Sequence, residues 1–222
     1  MFKSIKTGVL ALILIGAAFV AQAQKTIKEG TITYTYDYQP TEEQSSFAQI
    51  LPKETKIRFS GNLLSFSFES GLAKISLTSD FVNHNSLTLV DVPVIQAQYA
   101  VKGDKATYDK DIANLPKFSD FKATGEKKTI ANFNCEKYTY KDNLGNSYEL
   151  WATKDIELPS GFYGEAFKEI KGALIQYTSF QQGVKVNIKH KAMVEEKVGK
   201  LSLDVPSGYE IKTMEEVMSI GQ

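Results

Sequence analysis

Apolar and polar residues alternate with a period of two over most of the chain beyond residue 30. Ile32, Tyr34, Tyr36 and Tyr38 share one side of a stretch whose other side is Thr31, Thr33, Thr35 and Asp37, the pattern of a half-buried strand. Aromatic rings whose hydroxyls need partners when buried suit a packed sheet face or the wall of a cavity. Ile57 and Phe59, then Leu64, Phe66 and Phe68, then Ile75 and Leu77 continue the alternation, with Gly61-Asn62 and Ser70-Gly71 between the runs. This predicts an antiparallel meander. The clearest hairpin lies within residues 127–156. Tyr138 and Tyr140 alternate with lysines and threonine, Asn143-Leu144-Gly145-Asn146 makes the turn, and Tyr148, Leu150 and Ala152 alternate on the return.

Further strand-like runs fall at 86–92, 93–101, 174–180, 184–190, 192–198 and 200–205. Three segments have helical period or caps. Thr41–Leu51 opens with a capping box (Thr41, Gln44) and stops at Pro52. Phe162–Lys171 places Phe162, Ala166, Phe167 and Ile170 on one face before Gly172. Thr213–Ile220 has a second capping box in Thr213 and Glu216. Residues 103–126, polar and rich in lysine, predict a loop, with at most a short helix near Tyr108–Leu115. Sequential hairpins without βαβ alternation predict a mainly β (α+β) fold. The expectation is one large curved antiparallel sheet, an unclosed β-barrel, with two or three short helices on its concave side.

The first 23 residues carry a different pattern. Lys3 and Lys6 precede the apolar run Val9–Val20, and Ala21-Gln22-Ala23 is a small-x-small cleavage site. This predicts a cleaved secretory signal peptide, since a helical span needs about 20 apolar residues. Gln24, not cysteine, then follows the cleavage site, so a periplasmic or secreted protein is expected, not a lipoprotein, with no transmembrane segment in the mature chain. Roughly 200 residues remain, residues 24–222, enough for a single domain with one core.

The whole chain has 26 basic and 26 acidic residues. Loss of Lys3 and Lys6 gives a net charge of −2, and Arg58 is the only arginine. Both facts argue against nucleic acid as a partner. Cys135 is the only cysteine. With Phe133 on the same strand face it reads as a small buried hydrophobe rather than a reactive thiol. Trp151 shares its strand face with Glu149 and Thr153, so it lies on the wetter face or beneath a cover. His84 and His190 lack the spacing of a zinc site, no nucleophile elbow or phosphate loop is present, and no pair of carboxylates is singled out. No catalytic residue, metal or cofactor is expected.

The order of leader, strand, helix, meander, central hairpin and terminal strand-turn-helix resembles the LolA/LolB-like fold of periplasmic lipoprotein carriers. The ending Leu203-Asp204-Val205-Pro206-Ser207-Gly208-Tyr209-Glu210-Ile211 is similar to the Pro-x-Gly-x-x-Val/Ile ending of those proteins. Residues 128–138, followed by Glu149-Leu150-Trp151-Ala152-Thr153-Lys154-Asp155-Ile156, resemble a pattern in uncharacterised exported proteins of Bacteroidota. Asn132 stands where that pattern has glycine. The related GLPGLI family shares the hairpin, but this chain lacks its motif. The resemblance implies a concave face that holds an acyl chain or similar apolar ligand, with helices as a lid. It also implies an early-strand arginine that helps hold the lid, for which Arg58 is the candidate. The expected function is an exported, non-enzymatic binding protein for a hydrophobic small molecule, lipid or lipidated segment. Tyr34, Tyr36, Phe66 and Phe68 would line the groove and Phe162 and Phe167 would sit on the lid. The alternative is a structural or interaction module that meets a cell-envelope protein, with a filled sheet interior.

Overall fold

A computed structural model of the protein describes residues 24–181 and 183–220. The predicted signal peptide, residues 1–23, lies outside them. Twelve strands form one mixed sheet. In chain order they are β2 (Glu29–Gln39), β3 (Glu54–Ser60), β4 (Leu63–Ser70), β5 (Ala73–Asp80), β6 (Asn85–Val92), β7 (Ala97–Gly103), β8 (Phe118–Ile130), β9 (Phe133–Asp142), β10 (Ser147–Thr153), β12 (Ala173–Gln181), β13 (Val184–Val194) and β14 (Glu210–Ile211). Their spatial order is β14-β7-β6-β5-β4-β3-β2-β13-β12-β10-β9-β8. Every pair is antiparallel except β14 with β7, the one departure from the expected antiparallel sheet. β1 (Lys25–Thr26) and β11 (Ile156–Glu157) form a small parallel pair beside it.

The sheet is strongly curved, and its connectivity requires this. β7 and β8 stand ten strand positions apart, so a flat sheet would separate them by about 48 Å. The chain crosses between them in residues 104–117, which contain helix α2 (Lys105–Ala113) and can reach roughly 30 Å. The two wings must therefore bend toward each other. They do not close, since β14 and β8 remain free edges. The segment between β11 and β12 ties the wings from inside. Its Phe162 ring lies 5.3 Å from Phe59 of β3 and 6.0 Å from Phe81 beyond β5. Its Phe167 ring lies 5.3 Å from Phe118 of β8 and 5.2 Å from Tyr177 of β12.

The helices are shorter than predicted. The Thr41–Leu51 region contains only α1 (Ser45–Ala48). Thr41 N–H donates to Gln44 Oε1 at 3.1 Å, but the reciprocal half of the capping box is absent and the helix starts one turn later. The predicted helix Phe162–Lys171 is a 3-10 turn, Glu165–Phe167. Positive φ at Gly161, Gly164 and Gly172 breaks the run, and these glycines outweigh its apolar period. The terminal helix α3 (Met214–Ser219) forms as expected, with both halves of the Thr213–Glu216 capping box. In the region 103–126 the short helix expected near Tyr108–Leu115 forms as α2, beginning at Lys105, whereas the rest of the predicted loop is the first part of β8. Asp104 caps α2, accepting from the Thr107 amide at 2.9 Å. β8 is exposed along most of both faces, so it carries no alternation, and its lysines suit an unpaired edge. The predicted strand at 200–205 does not form.

Candidate functional site

All six residues expected to bind ligand line one groove on the inner face of the sheet. Tyr34 and Tyr36 come from β2, Phe66 and Phe68 from β4, and Phe162 and Phe167 from the covering segment. The groove has a volume of about 460 Å3 and also touches Ile57 of β3, Tyr177 of β12 and Ile188 of β13. No lining residue carries a formal charge. Four other depressions among the described residues each include lysines and carboxylates in their walls.

The six residues divide into two roles. Tyr34, Phe162 and Phe167 are buried, whereas Phe66 and Phe68 are only half-buried. The latter two rings stack along β4, 6.3 Å apart and inclined by 21°. They form an aromatic strip facing the groove. Tyr36 stacks on Tyr38 at 6.0 Å on the opposite wall, and the Tyr38 hydroxyl donates to Gln181 Oε1 at 2.7 Å.

Tyr163 organises the cover. The ladder between β10 and β12 slips between Trp151 and Ala152, which oppose Gln176 and Leu174. The Leu174 amide freed by this bulge donates to Tyr163 Oη at 2.9 Å. Tyr163 Oη is in turn 2.9 Å from Tyr34 Oη. One phenol thus satisfies a buried backbone donor and joins the covering segment to β2, which a buried hydroxyl requires. Periodicity along the chain carries no sign of this role, because the partners are 11 and 129 residues away.

Burial pushes the Tyr34 and Tyr177 phenols well above their ordinary range, reinforced by the neighbouring Tyr163 phenol. Burial likewise pushes Tyr163 up to about 12. The groove stays uncharged at any ordinary pH and offers hydroxyls but no proton acceptor poised near neutrality.

None of the other candidates lines the groove. Cys135 is buried, its thiol donates to the Phe133 carbonyl at 3.4 Å, and burial raises its pKa. His190 sits against Phe133 and Tyr34, and neither of its ring nitrogens has a hydrogen-bond partner among the described residues. Cys135 and His190 therefore share no hydrogen bond. His84 stacks on Tyr108 of α2 at 4.2 Å. Trp151 is buried rather than wet, with Lys128 Nζ 4.0 Å above its ring, a cation–π contact. Arg58 lies on the outer face in a depression with Thr31, Thr33 and Lys56, not beneath the cover. Among the described residues no cluster of His, Cys, Asp and Glu could hold a metal ion, and no helix is long and apolar enough to cross a membrane. No family model matches the chain, and no curated protein matches it.

Proposed function

We propose that this is an exported, non-enzymatic binding protein that holds a hydrophobic ligand, a lipid or a lipidated segment, in the groove of its curved sheet. The observation that carries the reading is the uncharged aromatic groove of about 460 Å3, within the range of roughly 300–1,000 Å3 typical of small-molecule sites. Half-buried Phe66 and Phe68 supply apolar surface that a ligand would remove from water. The upward-shifted phenols leave the groove without a base poised near neutrality, which supports binding over catalysis. The leader and the lone cysteine support export without a disulfide framework.

A second reading, an envelope interaction module with a filled interior, is favoured by the hydrogen-bonded contact of Tyr34, Tyr163 and Leu174 across the middle of the sheet. Native mass spectrometry of protein purified from the periplasm, with organic extraction, separates the two. A co-purifying lipid that is lost in the Phe66→Ser/Phe68→Ser protein supports the carrier. A clean apo mass, unchanged on mixing with envelope lipids, overturns it in favour of the module.

A further inference from the structure

β3 and β4 part company after a short ladder. Their register runs only from Ser60–Leu63 through Phe59–Leu64 to Arg58–Ser65. Beyond this, Glu54–Ile57 continue to pair with β2, and Phe66–Ser70 with β5, but not with each other. The result is a lengthwise gap in the interior of the sheet. Phe66 borders both sides of it, lining the inner groove and also a depression of about 670 Å3 on the outer face.

The two sides differ in chemistry. The inner wall is uncharged. The outer depression contains Lys56, Arg58, Lys191, Glu54 and Glu196, with the hydroxyls of Thr31, Thr33 and Ser67. Lys191 is paired with Glu54 at 2.5 Å. Lys56 and Arg58 have no carboxylate within ion-pair distance among the described residues. The outer side thus offers two uncommitted cations against one uncommitted carboxylate, Glu196. Arginine is well suited to a carboxylate or phosphate because its fork presents parallel donors.

We propose that the ligand is an anionic amphiphile: its tail lies in the aromatic groove, and its head passes through the β3–β4 gap, beside Phe66, to Lys56 and Arg58. This inference rests on the proposed function and narrows it to a ligand class. It also gives the only arginine a place in binding rather than in holding the cover.

The test compares two probes of equal chain length, tetradecanoate and its uncharged methyl ester. Each displaces the uncharged fluorophore N-phenyl-1-naphthylamine from the full mature protein. The wild type is expected to bind tetradecanoate about tenfold more tightly than the ester, as charge-assisted hydrogen bonds contribute. That preference should weaken as salt rises. Lys56→Gln/Arg58→Gln should abolish the preference by weakening tetradecanoate alone, with an unchanged circular-dichroism spectrum. Phe66→Trp gives an independent readout, since the emission of the introduced indole should shift with either probe. Equal affinity for both probes, or a preference that survives the double substitution, overturns the anionic class and leaves the hydrophobic groove intact. Failure of both probes to displace the fluorophore or to shift the emission of the Phe66→Trp protein overturns the groove reading as well.

Discussion

Two antiparallel ladders of the sheet are short, β3 with β4 and β10 with β12, and the chain treats them differently. Each joins its strands through three register pairs before they diverge. Beside β10 and β12 the space is filled. The Tyr140 hydroxyl donates to the Thr178 carbonyl at 2.6 Å and accepts from the Thr178 amide at 3.1 Å. Tyr148, Phe118, Phe167 and Leu150 pack around the Tyr140 ring. Beside β3 and β4 no phenol crosses among the described residues, and Phe66 and Phe68 remain half-buried. Both regions are aromatic. The difference is a covering side chain: Phe167 drops onto one, while Phe162 covers only the Phe59 end of the other. Aromatic content alone therefore does not distinguish a filled core from an open wall. What distinguishes them is whether another segment of the chain supplies the opposing surface.

The largest expected effect comes from opening the filled region. Phe167→Ala removes a buried ring shared by β8, β9 and β12. It should destabilise the protein by about 3–5 kcal/mol in urea denaturation. A cost below about 1 kcal/mol would mean that this half is not packed as described. Next comes Tyr163→Phe, which strands the Leu174 amide and unties the cover from Tyr34. The expected cost is about 1–3 kcal/mol, with accelerated hydrogen exchange at Leu174. Unchanged exchange there would show that the phenol is not its partner. Smaller again is the effect on the open wall. Phe66→Ser and Phe68→Ser should each cost about 1 kcal/mol, since only part of each ring leaves water on folding. Yet both should weaken a bound hydrophobe far more than Phe167→Ala does per unit of lost stability. If the open-wall substitutions cost as much as Phe167→Ala, the contrast between the regions collapses.

This contrast also marks how far the sequence could be read. The alternation of β2, β4, β9 and β10 identifies which residues share a face, and four of the six proposed ligand contacts, Tyr34, Tyr36, Phe66 and Phe68, follow from it. α3 is legible because its cap is local, with Thr213 and Glu216 three residues apart. The turn at Glu165–Phe167 has a helical apolar period, but glycines at 161, 164 and 172 override it. A side chain at Gly172 would collide with the Thr153 carbonyl oxygen, a contact set by packing between distant residues. β8 is unreadable because an exposed edge strand has no buried face to impose alternation. The two short ladders are likewise invisible in sequence, since register depends on partners elsewhere in the chain.

The seam between the two regions supplies the smallest effect and the one that depends on pH. His190 sits on β13 opposite Tyr34, with the Phe133 ring 5.4 Å away. Burial lowers its pKa, so the folded protein favours neutral imidazole. Above the unfolded value of about 6.5 both states are neutral, and His190 contributes nothing to the pH dependence. As pH falls below that value the unfolded chain takes up the proton first, so stability declines. The decline levels off once pH passes below the lowered folded pKa. Asp142 acts in a separate window. Burial opposes its charge, but hydrogen bonds from Asn146, Tyr148 and the Leu144 amide hold its carboxyl at about 2. Its contribution is complete above the ordinary carboxylate range and is lost only as pH falls toward 2. Comparing melting temperatures at pH 7.5 and 5.5 therefore separates His190 from Asp142. His190→Phe should shift stability by less than about 1 kcal/mol at pH 7.5, where one planar ring replaces another. It should flatten the loss between the two pH values. A variant that loses as much as the wild type on acidification would place the acid-sensitive group outside the seam.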